Sequence, residues 1–300
     1  AIAAGADEII DQGPHLSMDR FEGSHQFVAG IGEKVIVAIV TGNRFVDGPG
    51  IPRPDGNILF DTGQGRAIIP NAETMGINFS RTDAIVLSHG HYDHTGGLSA
   101  VLEKCGDIDL YVHPAAFERK YSLSGETARS IGMPDFTLEQ ATQHASIKRV
   151  IPTQGPTEVM PGVFVTGQVP RVTDFEDTGG PFFLDADGTR PDLLEDDQAL
   201  FFEGEGGGVV ICGCAHSGVV NTLRHVTDIL GTSRLDTVLG GMHLVSANNE
   251  RMDATFEAFE SLDVARLGPC HCTGIKAAAA FWRWFPGRCF ACDAGRVLDF

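Results

Sequence analysis

The sequence predicts one α/β domain in which two mixed β-sheets carry helices on their outer faces. Three observations lead there. Short β-rich runs alternate with segments of helical apolar spacing along most of the chain. A chain of 300 residues with 42% hydrophobic content can bury a full core. No internal repeat or low-complexity linker divides it. The expectation is a single domain over residues 1–300, with 1–30 as an N-terminal extension and 171–198 as a loop insertion or lid.

In chain order, "KVIVAIV" (34–40) and "NILFD" (57–61) read as strands bounded by Gly, Pro and Asp, and "DAIVLSH" (83–89) as another. Leu98, Val101, Leu102 and Cys105 recur at helical spacing, and "DLYVH" (109–113) returns to strand. Residues 123–146 are polar and mixed and read as helical pieces and loop. "SIKRVI" (146–151) and "GVFVTG" (162–167) read as strands. Residues 171–198 are rich in Gly, Pro and Asp. A connection of that length suits a lid or binding loop, with a solvated acidic insertion as the alternative. "ALFFEG" and "GVVICGC" read as a hairpin. Val219, Leu223, Val226 and Leu230 form a helix stripe, and "DTVLGG" (236–241) a strand. Met252, Phe256 and Phe259 mark the next helix, and "VARLG" (264–268) a strand. Ile275, Ala279, Trp282 and Phe285 mark the last helix, with Trp282 expected in the core.

Charge narrows the function. With 22 basic and 40 acidic residues the net charge is −18, which argues against general binding to nucleic acid or anionic membrane. A small-molecule substrate is expected instead, and the oligomeric state is open, a homo-oligomer included. No run of 18 apolar residues occurs, so no transmembrane helix is expected. "AIAAGADEII" is not a recognisable signal peptide, although a leader already cleaved would leave no trace. Seven cysteines, an odd number in a chain with its own core, read as reduced thiols and a cytoplasmic protein. Cys289 and Cys292 form a single CxxC, a weak zinc signal.

The densest chemistry lies in "LSHGHYDHTGGL" (87–98), which packs His89, His91, Asp93 and His94 between a strand and a helix. Imidazole nitrogens and carboxylate oxygens suit zinc, iron or manganese. Residues two apart on extended backbone point the same way, so His89 and His91 address one point. Asp93 and His94, past the turn, can address a second. Gly90 lets the turn close, and Gly96 and Gly97 allow close backbone approach.

This HxHxDH pattern after a strand resembles the metallo-β-lactamase superfamily. The resemblance covers about residues 30–300 and implies an αβ/βα sandwich with a mono- or dinuclear metal site at the sheet edges. "ILFDTGQG" (58–65) is similar to the family's strand-end Asp motif, which makes Asp61 a carboxylate that orients a ligand histidine. "ICGCAHSG" (211–218) and "PCHCTG" (269–274) end later strands with His216 and His271. Together with "TGQVPR", "DDQAL" and "GGMHL", these motifs resemble the 7,8-dihydropterin-6-methyl-4-(β-D-ribofuranosyl)aminobenzene-5′-phosphate synthase-like branch.

The sequence departs from the wider pattern at two places. "QVPR" stands where many members place a ligand histidine, and "GCAH" where they place a bridging Asp. The implied ligand sets are His89, His91 and His216 for one divalent ion, and Asp93, His94 and His271 for the other. Zinc is the first choice of metal, with iron and manganese also suited. Cys214 reads as a small buried residue, with a thiolate ligand as the alternative. His243, in "GGMHL", is a candidate acid or substrate contact, and Asp93 joins it as a candidate catalytic group. Arg171 is a candidate phosphate contact, with a surface arginine as the alternative. Asp196, Asp197, Gln198 and Glu176 are candidates only for capping. His15, His25, His113, His144 and His225 are expected to be structural or exposed.

The implied function is a metal-dependent enzyme, hydrolase or transferase, acting on an anionic, phosphorylated small molecule. The alternatives are a metallohydrolase of a carboxylic ester, lactone or phosphodiester, and a non-catalytic metal or ligand sensor.

Overall fold

The computed structural model describes residues 26–29, 38–41 and 56–300, apart from 126 and 135. Its strands are β1 (Gln26–Ala29), β2 (Ala38–Thr41), β3 (Asn57–Phe60), β4 (Ala84–Val86), β5 (Ile108–Val112), β6 (Tyr121–Ser124), β7 (Thr127–Ser130), β8 (Ile147–Pro152), β9 (Thr157–Met160), β10 (Val163–Val165), β11 (Phe182–Phe183), β12 (Ala199–Gly204), β13 (Gly207–Cys212), β14 (Leu235–Gly241), β15 (Arg266–Cys270) and β16 (Arg296–Asp299). The helices are α1 (Ile68–Thr74), α2 (Tyr92–Thr95), α3 (Leu98–Leu102), α4 (Leu138–Gln143), α5 (Val219–Leu230), α6 (Asn249–Ser261) and α7 (Ile275–Trp284).

Two sheets carry the fold, in orders β16-β1-β2-β3-β4-β5-β8 and β15-β14-β13-β12-β10-β9. The period-2 alternation of each strand explains the layers. Ile58, Phe60 and Val86 of one sheet meet Val165, Leu200, Phe202, Val209 and Ile211 of the other in a shared core. Their sequence neighbours point outward. Leu59, Ile85 and Leu110 pack under α1 and α3, while Phe201, Val210 and Val238 pack under α5, α6 and α7. The result is the αβ/βα sandwich expected from the motifs.

Several details differ from the expectation. Residues 26–29, assigned to an N-terminal extension, form β1 inside the first sheet, antiparallel to both β2 and β16. The segment 123–146 holds the β6–β7 hairpin rather than helical pieces alone, and β11 from the 171–198 connection pairs with β6. The hairpin is half exposed and carries no apolar alternation that would mark it. Trp282 is 49% exposed, because α7 buries Ala277 and Phe281 instead. His15 and His25 lie outside the described residues.

Parallel pairing decides where the chemistry can collect. β3, β4, β5 and β8 run parallel in one sheet, and β13, β14 and β15 in the other. The C-terminal ends of β3, β4, β13, β14 and β15 therefore open toward one edge of the sandwich, and each is followed by a polar site residue. No described helix is long and apolar enough to cross a membrane.

Candidate metal centre

The turn after β4 delivers His89 and His91 on extended backbone. Asp93 and His94 then fall in the first turn of α2. Gly90 is needed here, since a Cβ at that position would lie 2.2 Å from the Ala116 carbonyl oxygen. Its N–H donates to Asp196 Oδ2 at 2.7 Å, and Asp196 Oδ1 in turn accepts from Lys120 Nζ at 2.8 Å. Lys120 also donates to Asp192 at 2.9 Å, and all three side chains are buried. Gln198 Nε2 donates to the Leu87 carbonyl, and the Gln198 N–H donates to the Ser88 carbonyl. The residues read as strand caps thus brace the histidine turn.

Asp61 follows β3 and sits beneath the cluster. It accepts from the Ser88 N–H and hydroxyl at 2.7 Å each, and from His94 Nδ1–H at 2.6 Å. His89 Nδ1 lies 2.9 Å from the Ser88 hydroxyl. These bonds direct the Nδ1–H of His94 to Asp61 and turn its Nε2 toward the site. Burial disfavours a charged His94, but Asp61 and Asp93 outweigh it and lift the pKa to about 9.

His216 arrives from the loop after β13. Its Nδ1–H donates to the Thr178 carbonyl at 2.8 Å. The ring centroids of His89, His91 and His216 form a triangle with edges of 4.5, 4.9 and 4.8 Å. Burial, the largest cause, holds His89 and His216 well below the usual histidine range, and burial with Lys120 holds His91 at about 3. All three are therefore held neutral. Their Nε2 atoms are buried and have no hydrogen-bond partner.

A second group forms beside the first. His94 and His271 have Nε2 atoms 3.3 Å apart, and Asp93 Oδ2 lies 3.9 and 3.8 Å from them. Cys214 is buried, as the sequence suggested, and its Sγ lies 3.1 Å from His94 Nε2 and 3.2 Å from His271 Nε2. Three buried imidazole nitrogens without a partner would be costly unless a cation meets them, and those of His89 and His216 lie within 4.8 Å of each other and of Cys214 Sγ, a grouping that His91 does not join. The donor set therefore fits divalent metal.

The other predicted residues lie at the rim. His243 stacks against His216 with centroids 4.2 Å apart, and its Nδ1 is buried without a partner. Burial and then Arg251 hold its pKa at about 4. Phe182, which the sequence did not single out, covers His91 and His216 at 5.2 and 5.3 Å and lies 6.1 Å from His243. Arg171 does not enter the cluster. Its Nη2 donates to the carbonyls of His216 and Leu193 at 2.6 and 3.3 Å. Glu176 accepts the N–H groups of Val220 and Asn221 at the start of α5. His113 caps a 3₁₀ turn by accepting the Ala115 N–H.

Backbone strain concentrates at the same edge. Asp61, Ala215, His243 and His271 have φ of 62°, 54°, 43° and 50°, and they are four of the six described non-glycine residues in that region. Such conformations persist where the surroundings over-determine them, and they cluster at functional sites.

The sequence profile of the metallo-β-lactamase superfamily matches residues 51–271. The chain belongs to the metallo-β-lactamase superfamily. It is 31% identical over 249 residues to the 7,8-dihydropterin-6-methyl-4-(β-D-ribofuranosyl)-aminobenzene-5′-phosphate synthase of Methanocaldococcus jannaschii, covering 81% of this chain and 84% of that protein. It is 33% identical over 224 residues to an uncharacterized protein of the same organism, covering 73% and 80%. Among solved structures, a metal-dependent hydrolase of the β-lactamase superfamily superposes with a TM-score of 0.74 at 27% identity, covering 92% of this chain and 99% of that one. The metallo-β-lactamase fold protein YhfI from Bacillus subtilis gives 0.52 at 12% identity, covering 91% and 99%, a likeness of fold alone.

Proposed function

We propose that this superfamily member is a metal-dependent enzyme that acts on an anionic, phosphorylated small molecule and holds two divalent ions, zinc first among them. One ion would be held by His89, His91 and His216, the other by Asp93, His94 and His271. The observation that carries this reading is the presence of three buried, unpartnered Nε2 atoms, of His89, His91 and His216, beside the Asp93–His94–His271 group. The 31% identity to a synthase whose name includes a 5′-phosphate supports the substrate class.

Metal bound there would supply Lewis-acid stabilisation of charge developing on a phosphoryl or carbonyl oxygen. The chain's own residues do the rest. Asp93, 30% exposed, is the acidic group open to the solvent side and orients the attacking group. His243, neutral at pH 7, meets the leaving group or the substrate anion as a hydrogen-bond donor through one ring N–H. Phe182 shields the His91 and His216 face from water. Segment 171–198 acts as the cover over the site. Arg171 spends one nitrogen on backbone carbonyls and offers its remaining N–H groups to a phosphate.

A second reading, a metallohydrolase of an ester, lactone or phosphodiester, is favoured by the likeness to a metal-dependent hydrolase over nearly the whole chain. Metal analysis of the purified protein, followed by a screen of metal-loaded enzyme against phosphodiesters, lactones, and a pterin diphosphate with its aminobenzene acceptor, separates the two. Near-stoichiometric zinc, iron or manganese is expected, and its absence would sink both. His91→Ala should abolish metal retention and turnover together. Full turnover in that variant would refute the site.

A further inference from the structure

We propose that Cys214 is a thiolate ligand shared by both metal positions, in the place where a bridging carboxylate is absent from this chain. The inference rests on the dinuclear reading above and adds a donor to it. Two groups of ligand atoms lie within 4.8 Å of one another: His89, Cys214 and His216, and His94, Cys214 and His271. Cys214 is common to both. It is 3% exposed and sits two residues past the end of β13, directly ahead of Ala215 and His216.

The distances have the pattern of a coordination shell. Sγ to His94 Nε2, Sγ to His271 Nε2 and Nε2 to Nε2 measure 3.1, 3.2 and 3.3 Å. Tetrahedral zinc with ordinary bond lengths separates two nitrogens by about 3.3 Å and a nitrogen from a sulfur by about 3.6 Å. The nitrogens match, and the sulfur lies about half an ångström closer to each nitrogen than the bonded spacing. The Nδ1–H of His94 is committed to Asp61, so Nε2 is the atom that His94 turns toward the sulfur and toward His271. Independently, the buried Nε2 atoms of His89 and His216 point into the same space without partners.

Binding a divalent ion displaces the thiol proton to solvent and leaves a sulfur–metal bond, with no change of oxidation state. A sulfur donor shifts the site's preference toward zinc, iron(II) or cobalt(II) and away from magnesium and manganese.

The test is cobalt(II) reconstitution of the full chain, read by absorption and metal stoichiometry rather than activity. Wild type should bind two equivalents and show a near-ultraviolet sulfur-to-cobalt charge-transfer band. Cys214→Ser should lose the band and bind the second equivalent at least about 100-fold more weakly. Cys214→Asp should hold two equivalents without the band, which also covers the case of a poorly folded serine variant. Cys272→Ser, which removes the nearest other thiol at the Cys214 carbonyl, should keep the band. Two equivalents with no band in wild type, or a band that survives Cys214→Ser and Cys214→Asp, would overturn the thiolate while leaving the dinuclear reading intact. One equivalent in wild type, whatever the spectrum, would overturn the shared ligand together with the dinuclear reading, and so would no uptake at all.

Discussion

Replacing Lys120 with Met should be the most damaging substitution outside the ligands. Its ammonium is buried between Asp192 and Asp196 at 2.9 and 2.8 Å, and those carboxylates are themselves buried. Removing one partner from such a group leaves uncompensated charge in low dielectric, a loss of about 3–5 kcal/mol. For a 300-residue chain, an unfolding entropy of roughly 2.1 cal/mol/K per residue turns that loss into a drop in Tm of about 5–8 °C. The pH dependence gives a sharper signature. Burial alone would raise the Asp196 pKa, but Lys120 and the Gly90 N–H hold it below 3.8. Burial alone would lower the Lys120 pKa, but Asp196 and Asp192 hold it above 10.5. A depressed acid contributes stability that is present above its unfolded value and lost as pH falls through the folded one. A raised base contributes stability that is present below its unfolded value and lost as pH rises through the folded one. Wild type should therefore draw full benefit from this cluster between roughly pH 4 and pH 10.5. The Lys120→Met deficit should be largest near neutrality and shrink toward acid pH, where the stranded carboxylates protonate. Urea titrations at fixed free metal across pH 4–8 measure it. A deficit below about 1 kcal/mol at pH 7, or one that does not vary with pH, would refute the reasoning.

Three further substitutions probe the supports of the site. Asp61→Asn removes the carboxylate that fixes the His94 tautomer, and metal affinity should fall about 10–100-fold by chelator competition. Gly179→Ala places a Cβ 1.9 Å from His243 Nδ1 at φ +84°, so the His243 ring must move. Turnover of a verified substrate should drop while metal content holds, and loss of metal instead would place His243 among the ligands. Glu176→Ala leaves the Val220 and Asn221 N–H groups at the start of α5 without an acceptor, which should cost about 1–3 kcal/mol by thermal or chemical unfolding.

What could be read from the sequence follows from how far apart the interacting groups lie. His89, His91, Asp93 and His94 sit within six positions, so local backbone geometry alone announces a metal turn. The layers were also legible, because strands such as "NILF" alternate between the sandwich interior and the helix side. The bracing was not. Asp196 meets Gly90 across 106 positions and Cys214 meets His94 across 120, and nothing local marks either pair. The last helix failed differently. The spacing puts Ile275, Ala279, Trp282 and Phe285 on one stripe; of these Phe285 is buried, packed with Ala277 and Phe281, while Ile275 is 89% exposed. Small alanines on all sides of that helix left the phase of the stripe undetermined until packing chose it.

The segment 171–198 holds His216 in place against the histidine turn. "QVPR" supplies no histidine to the centre, and His216 from the far side of β13 enters the triangle with His89 and His91 instead. The same segment then holds that histidine. The Thr178 carbonyl takes its Nδ1 proton, Arg171 grips its carbonyl, Phe182 lies against its ring, and Glu176 anchors the helix that follows it. On the proposed ligand set, this segment is therefore tied mechanically to His216. Displacing residues 178–182 would break the bond that fixes the His216 tautomer, so with His216 as the proposed ligand, movement of this segment should change metal affinity. Changes in the loop that tune substrate choice should therefore also shift metal affinity, whereas changes on the exposed face of α7 should shift neither.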